Sequence, residues 1–174
     1  MTRNEKKVKK ISLSRLRNVA LWYLERFGGT RARVRQILDR RIQEAAQKHG
    51  PTPEAADWRE QVLEELQSLG HINDAAFATS RVQKGMRQGK SRKLIIQDLR
   101  RAGVEPEAEH AALAILIEQE GDSELQAAQT YVRQRRLGAY RVDPDAYRDK
   151  DMARLARRGF SYQIARQALE KDEA

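Results

Sequence analysis

Two short stretches share a pattern in which an arginine pair could bind an anion. "LRRAGVE" covers residues 99–105 and "LARRGFS" covers residues 155–161. The arginine guanidinium is a planar fork of N–H donors, and it matches the oxygens of a phosphate or a carboxylate. A glycine followed by an apolar residue is also typical of a helix end, where arginines lie favourably against the negative pole of the helix dipole. The pattern predicts two helix caps, and it leaves a second use of the arginines open.

Other stretches that suggest catalytic or metal chemistry have the wrong spacing for it. "GMRQGKS", residues 85–91, has three residues between its glycines where a phosphate-binding loop has four. "DPDAYRDKD", residues 143–151, resembles a calcium loop, but it lacks the central glycine and has Arg154 where the bidentate glutamate belongs. The three histidines share no metal-ligand spacing, and no serine lies in a nucleophile elbow. We therefore predict no enzyme activity, no metal site and no cofactor.

The composition favours an anionic partner. The 174 residues include 34 Lys and Arg against 25 Asp and Glu, for a net charge of +9. The absence of cysteine excludes disulfides and thiolate chemistry. The longest apolar run, "AALAILI" at residues 111–117, is too short to cross a bilayer, and the amino terminus has no signal-peptide core. These features indicate a cytoplasmic protein without a membrane partner.

The apolar residues that must position any site recur at helical spacing. β-Branched residues are sparse and no segment alternates over the length of a strand, so the chain is predicted to be all-α with nine helices. The first three helices carry these predicted core residues: Leu16, Ala20, Tyr23, Leu24 and Phe27; then Val34, Ile37, Leu38 and Ala45; then Trp58, Val62, Leu66 and Leu69.

Capping residues predict where several helices begin. Thr52 precedes the third helix, Asn73 or Asp74 precedes the fourth, Ser91 the fifth and Ser161 the last. The fourth helix is expected to bury its apolar stripe, and the aromatic residue of that stripe is Phe77 at the centre of the second helical unit.

Nine helices in three sets of three indicate a tandem repeat, in which each unit buries its apolar face against its neighbours. We predict a disordered basic arm at residues 1–17, repeat 1 at 18–72, repeat 2 at 73–121 and repeat 3 at 122–174.

Charge alternates along the chain in phase with these repeats. Residues 73–102 hold eight basic and two acidic side chains, whereas residues 103–125 hold seven acidic and no basic ones. The sign changes in the same way, more weakly, between residues 18–48 and 49–72. If the third helix of each repeat faces one side, the other helices form a basic stripe. A solvated helix surface is the alternative for any single run.

A central motif resembles a known family. "GHINDAAFA", residues 70–78, is similar to the Gly-aromatic/aliphatic-(Ile/Leu)-Asp-Asp-x-x-Phe-Ala signature of RecX proteins, the bacterial regulators of the RecA recombinase. "ALWYLERF", "LIIQDLRRAGV" and "LARRGFSYQIARQAL" follow the order of that family, over about residues 18–170. His71 and Asn73 depart from the signature, and "RIQEAAQKHGPTPEAADW" lengthens the second helix and loop of repeat 1.

The resemblance implies three three-helix repeats in a curved, elongated monomer that lies in the groove of a RecA–DNA filament. It implies a non-enzymatic regulator of recombination and DNA repair. Inhibition is the favoured direction and stimulation stays open. Binding to DNA alone, single- or double-stranded, is expected to be weak. The expected filament and DNA contacts are Arg81, Lys84, Arg87, Lys90, Arg92, Lys93, Arg100, Arg101, Arg133, Arg135 and Arg136.

Two other classes of function remain. Three-helix units with basic helices also occur in proteins that bind DNA or RNA directly. The basic amino-terminal residues favour that class, and the lack of a distinct recognition helix counts against it. A plain scaffold is the third possibility.

The two arginine pairs are not expected to contribute equally. Arg100 and Arg101 extend the basic run of repeat 2, so they are predicted to matter more for filament binding. Arg157 and Arg158 lie in residues 143–174, where seven basic and seven acidic side chains are expected to cancel.

Overall fold

The computed structural model describes residues 8–119 and 123–170, with the backbone alone for residues 115–119 and 123. These residues form nine α-helices and two short 3-10 helices, Gly138–Tyr140 and Asp145–Tyr147, and no strand, which confirms the all-α prediction. The α-helices are α1 (Leu13–Phe27), α2 (Arg31–His49), α3 (Ala55–Ser68), α4 (Asp74–Arg87), α5 (Arg92–Arg101), α6 (Pro106–Gln119), α7 (Ser123–Arg135), α8 (Arg148–Arg157) and α9 (Tyr162–Leu169).

The chain divides into two compact units, which we call unit 1 (Met1–Phe77) and unit 2 (Ala78–Ala174). The boundary falls within α4. The helices α4–α6 and α7–α9 lie within the ranges expected for repeats 2 and 3, whereas α1 begins at Leu13, before the range 18–72 expected for repeat 1. The repeat boundaries themselves stay a prediction.

The amino-terminal segment is more ordered than predicted. Helix α1 begins at Leu13, and the Ser12 side chain accepts a hydrogen bond from the backbone N–H of Arg15. Ile11 and Leu16 are buried in the core of unit 1. The prediction of a disordered arm over residues 1–17 is therefore wrong from Ile11 onward, because apolar residues anchor this segment. Residues 1–7 lie outside the described part of the chain.

Unit 1 is a three-helix core in which α1, α2 and α3 pack against one another. Leu16, Val34 and Leu66 are buried there, as their spacing predicts. Two predicted core residues are wrong: Phe27 is 55% exposed and Leu69 is 63% exposed. Both lie at helix ends, since Phe27 is the last residue of α1 and Leu69 is the C-cap of α3.

The second helix of unit 1 is long, as its sequence predicts. Helix α2 has 19 residues, whereas α5 and α8 have ten each. The start of α3 differs from expectation. Thr52 does not cap it with its side chain; instead its carbonyl accepts the N–H of Ala55, and Glu54 precedes the helix without a side-chain cap.

Three predicted caps are confirmed by their hydrogen bonds. The Asn73 side chain accepts the N–H of Ala76 at 2.9 Å, and Ser91 and Ser161 each accept an N–H three residues ahead at 3.3 Å. These caps fix where α4, α5 and α9 begin.

Unit 2 buries the apolar faces of α7, α8 and α9 around Val132, Leu137 and Leu155. Helix α5 contributes Ile95 and Leu99, both at most 2% exposed. Phe77 is half-buried, so its interpretation as the buried centre of repeat 2 is wrong. The buried residues on this stretch of α4 are smaller: Ala78, Val82 and Gly85.

The acidic loop before α8 is held by Asp151. Its side chain is fully buried and accepts two hydrogen bonds from the Arg141 guanidinium, at 2.6 and 2.7 Å, and one from the Gly138 N–H at 3.0 Å. Burial opposes ionisation, yet these hydrogen bonds hold the pKa of Asp151 below its usual range. This carboxylate is the anchor of the loop rather than a ligand waiting for a cation.

Candidate nucleic-acid interface

Four arginines and one tyrosine converge on an open cleft in unit 2. The cleft has a volume of about 410 Å³ and is lined by Tyr131, Arg135, Arg154, Arg157 and Arg158. We call it the arginine cleft.

Helical spacing on two elements builds the cleft. Tyr131 and Arg135 are four residues apart on α7, so they share a face of that helix. Arg154 and Arg157 lie in the last turn of α8, and Arg158 is the C-cap residue that follows them. Their i, i+3 and i+4 spacing directs these three side chains to one side of α8.

The position of Arg158 is fixed from two directions. Its guanidinium carbon lies 4.3 Å from the ring centroid of Tyr131, which is a cation–π contact with a residue that is only 9% exposed. Its backbone carbonyl accepts a hydrogen bond from the Ser91 hydroxyl, the capping group at the start of α5. The amino-terminal end of α5 therefore lies against the carboxyl-terminal end of α8.

The contact between the start of α5 and the end of α8 brings Lys93, a predicted site residue, to the cleft. The backbone at Gly159 is so close to α5 that a Cβ there would lie 2.9 Å from Ser91 Oγ and 3.2 Å from Lys93 Cβ. Lys93 is exposed beside the end of α8. The arginine cleft thus continues onto the basic start of α5.

The cleft has a high positive charge because its arginines have no acidic partners among the residues that the structure describes. Within residues 8–119 and 123–170, none of its four arginines forms an ion pair with a carboxylate. The neighbouring acids are used elsewhere: Asp151 pairs with Arg141, and Glu170 pairs with Arg148 and Arg166. Arg154 acts on Asp151 only at longer range, where it helps to lower the pKa of that carboxyl.

Part of the predicted basic run lies next to the cleft. The Gln134 side-chain amide donates to the Arg87 carbonyl at 3.5 Å, so the end of α4 meets the last turn of α7. Arg87, Arg133 and Arg135 are exposed at this junction. Arg81 and Lys84 are exposed farther back along α4.

Other predicted residues already have partners inside unit 2. Lys90 forms a 2.6 Å ion pair with Asp98. Arg100 donates two hydrogen bonds, each of 3.1 Å, to Glu109, whose side chain is 4% exposed. Because these carboxylates cancel local charge, Lys90 and Arg100 attract an external anion less strongly than the cleft does.

Three more predicted residues are basic groups at helix ends. The Arg92 side chain is exposed, while its backbone N–H donates to the Glu124 carboxylate at 3.0 Å. Burial raises the pKa of Glu124, and the Arg92 hydrogen bond partly opposes that rise. Arg101 is exposed in the last turn of α5. Arg136, the one non-glycine residue with positive φ in the described chain, follows α7 at a φ of 49°.

Sequence reasoning missed Tyr131 and Arg154, and it ranked the pair Arg157 and Arg158 below Arg100 and Arg101. The helical spacing of Arg154, Arg157 and Arg158 was visible in the sequence. Summing charge over residues 143–174 concealed it, because Asp151 and Glu170 of that segment pair with arginines outside the cleft.

Metal-binding clusters and membrane spans are absent from the described part of the chain. Residues 8–119 and 123–170 contain no group of three or more His, Asp or Glu that could hold a metal ion. Among the described helices, none combines the length and apolarity that a transmembrane span requires.

Comparison with known proteins places these features in one family. Residues 73–113 match the family described as the second three-helix domain of RecX. The chain is 34% identical to the regulatory protein RecX of Myxococcus xanthus, over 99% of this chain and 93% of that protein. It is 32% identical to the regulatory protein RecX of Agrobacterium fabrum, over 90% and 83% of the two chains.

A solved structure agrees with the fold. The crystal structure of RecX from Lactobacillus salivarius matches with a TM-score of 0.65 at 25% identity, over 90% of this chain and 94% of that one.

Proposed function

The chain belongs to the RecX family of regulatory proteins, and from that premise we propose that it regulates the RecA recombinase by binding in the groove of the RecA–DNA filament. In this proposal it acts without catalysis. The basic surface of unit 2 contacts the anionic lining of the groove, and the arginine cleft is the centre of that surface.

The observation that carries the proposal is the set of four cleft arginines without carboxylate partners in the described chain. Guanidiniums that lie close together repel one another, and an anion that enters between them removes that repulsion. Phosphate oxygens match the planar fork of arginine, and phosphates are evenly spaced along a nucleic-acid backbone. The chemistry of the cleft therefore fits a DNA backbone phosphate.

The wider surface supports a long contact rather than a single phosphate. Lys93 lies beside the cleft, and Arg87 and Arg133 lie where α4 meets α7. A filament groove is lined by DNA phosphates and by protein, and several weak contacts on successive protomers add up to strong binding. Occupation of the groove would hinder entry of a second DNA molecule and the motions between protomers.

A binding experiment tests the proposal. Fluorescently labelled protein is titrated with pre-formed RecA filaments and, separately, with naked single-stranded and double-stranded DNA, at two salt concentrations. We expect tighter binding to filaments than to naked DNA, and an affinity for filaments at least about tenfold weaker in Arg154→Gln with Arg157→Gln. The salt dependence should flatten by about 0.7–0.9 in log–log slope for each phosphate that the variant no longer binds.

The control variant is Arg148→Gln with Arg166→Gln, which removes two arginines of unit 2 that pair with Glu170 outside the cleft. We expect it to bind filaments nearly as the parent does. Equal losses of affinity in the two variants would show that net charge alone attracts the protein, and the cleft would have no special role.

The arginine cleft also favours a second candidate function, which is direct binding of nucleic acid without RecA. A phosphate-binding cleft needs no protein partner to hold DNA. If the affinity for naked DNA equalled the affinity for the filament, direct nucleic-acid binding would become the favoured function and RecA regulation the second candidate.

A further inference from the structure

Unit 1 has a groove that the proposed function does not use. It runs between α1 and α2, has a volume of about 640 Å³, and is open to solvent. Its apolar wall consists of Val19, Trp22, Tyr23, Phe27 and Ile37.

The aromatic residues of this groove remain exposed although they contact one another. The Trp22 and Phe27 rings meet edge to face at 6.0 Å, and the Tyr23 and Phe27 rings lie 5.3 Å apart. Trp22 is nevertheless 58% exposed and Phe27 is 55% exposed. Neighbouring exposed large apolar side chains are typical of a surface that a partner covers.

The polar rim of the groove is basic. Arg15 lies on the α1 side, and Arg33, Arg40 and Arg41 lie on the α2 side. No acidic residue is among the described residues that line the groove. The groove therefore combines an apolar wall with four positive side chains at its edges.

The length of the groove sets the size of the partner. It extends along α1 from Ser14 to Phe27, which corresponds to about 20 Å of helix at 1.5 Å per residue. A partner helix of about four turns has the same length. Such a helix buries its apolar stripe in a groove between two helices, in the way that many amphipathic helices bind.

We propose that this groove binds an acidic amphipathic helix of a partner protein. The aliphatic or aromatic stripe of that helix packs on Trp22, Phe27 and Ile37, and its flanking carboxylates pair with the rim arginines. This site is in unit 1, does not involve the arginine cleft, and goes beyond the proposed function.

The observations favour a protein helix over single-stranded nucleic acid. The groove contains rings on which a nucleobase can stack, but Trp22 and Phe27 meet edge to face at an interplanar angle of 74°, so they form no continuous stacking platform for successive bases. Val19 adds aliphatic surface, which suits an apolar side chain better than a base. Arg40 and Arg41 both lie near Glu44, at 3.9 and 2.8 Å, so the positive charge at their end of the groove is partly cancelled. This partial cancellation weakens the binding of a row of backbone phosphates more than it weakens an apolar contact.

Tryptophan fluorescence tests the proposal in the full chain. The chain has two tryptophans, and Trp58→Phe leaves Trp22 as the reporter. The probe is a synthetic peptide of about 15 residues, made of glutamate, alanine and leucine with the leucines at i, i+3, i+4 and i+7. Its controls are an isomer with the leucines on all sides, a lysine analogue of the probe, and an oligothymidylate of similar length.

We expect the probe to shift the Trp22 emission to shorter wavelength and to bind at least about tenfold more tightly than its isomer or the lysine analogue. Arg15→Gln with Arg33→Gln should raise its dissociation constant about fivefold or more. Arg35→Gln, which changes an arginine of α2 that pairs with Glu60 outside the groove, should not. Anisotropy of labelled probe should show that Trp22→Ala no longer binds it.

Three results would overturn the proposal. Equal binding of probe and isomer would mean that the groove does not recognise an amphipathic helix. Stronger binding of oligothymidylate, with competition against the probe, would make the groove a nucleic-acid site. A concentration-dependent shift of Trp22 emission without any peptide would make a second copy of the chain the occupant. Each result is independent of whether the protein binds RecA filaments.

Discussion

The helix ends at residues 99–104 and 155–160 have nearly the same backbone. Each closes with a glycine at positive φ, 74° at Gly103 and 86° at Gly159. The residue after each glycine donates its N–H to the carbonyl of the last leucine of the helix, at 3.1 and 3.2 Å respectively. The predicted caps are confirmed at both ends, and this backbone pattern is that of a Schellman motif.

The arginines on these two caps have different neighbours. Arg100 is held by the buried carboxylate of Glu109, whereas Arg157 and Arg158 line a cleft with two more arginines. The motif therefore specifies the helix end, and the elements packed around it decide whether the arginines can bind an anion. This difference favours the reverse of the sequence-based order, which placed Arg100 and Arg101 first.

The largest expected effect is a loss of stability when Asp151 is changed. It tests whether Asp151 is held by Arg141, and so does not neutralise the arginines of the second cap at residues 155–160. Asp151→Asn should lower the free energy of unfolding at pH 7 by about 2–4 kcal/mol, because Arg141 loses the charge of a buried partner. Since the folded-state pKa of Asp151 is depressed, its contribution to stability is present above about pH 4 and is lost as pH falls through that lower pKa.

Urea unfolding between neutral and strongly acidic pH measures both effects of Asp151→Asn. The variant should lack part of the acid destabilisation that the parent shows. An unchanged pH profile would mean that Asp151 does not bind Arg141 in solution, and the acids of this segment would then be available to neutralise the cleft.

The second prediction separates the two glycines. Gly159→Ala should destabilise the protein by about 2–3 kcal/mol, because an alanine there needs both a left-handed backbone and space that Ser91 and Lys93 occupy. Gly103→Ala is the matched control, and its positive φ alone should cost about 1–2 kcal/mol. Denaturant unfolding followed by far-UV circular dichroism compares them. Equal costs would show that α5 and α8 move apart easily at this contact.

The sequence predicted the parts of this fold that depend on local chemistry. The caps at Asn73, Ser91 and Ser161 were found because a capping side chain bonds to a backbone N–H only three residues away. The buried stripe of α2 was found because helical spacing places its residues on one face. The family signature at residues 70–78 was visible because its residues are contiguous in the sequence.

The parts that depend on contacts between distant segments were not predicted. Phe27 continues the stripe of α1, and only the packing of unit 1 shows that it lies beyond the core. The arginine cleft requires α7 to lie beside α8, and its charge requires Asp151 to pair with Arg141. A count of charges along the sequence contains no information on either pairing.

The third prediction compares the arginine pairs directly. Arg157→Gln with Arg158→Gln should reduce affinity for RecA filaments by at least about tenfold, or about 1.4 kcal/mol. Arg100→Gln with Arg101→Gln should reduce it by about threefold or less, because Glu109 already neutralises Arg100. Inhibition of the RecA ATPase, measured against protein concentration at two salt concentrations, ranks the pairs. A larger effect from the pair on α5 would restore the sequence-based order.

The variant with the smallest expected effect makes the cap at residues 99–104 more like the cap at residues 155–160. Glu109→Gln removes the negative charge that holds Arg100 while keeping an oxygen that can accept one of its hydrogen bonds. Arg100 is already 69% exposed at its side chain, so its guanidinium can turn toward an external anion without rearrangement of the helix. We expect affinity for RecA filaments and for DNA to rise about two- to threefold, with a steeper salt dependence.

Stability should fall at the same time by about 1 kcal/mol, the usual value for a weakened hydrogen bond. Glu107→Gln changes an exposed acid on the same helix and keeps the Arg100–Glu109 pair intact, so it controls for net charge alone. If Glu107→Gln raises the affinity as much as Glu109→Gln does, the pair with Glu109 does not limit Arg100. The difference between the two caps would then lie in the other arginines of the cleft rather than in the partner of Arg100.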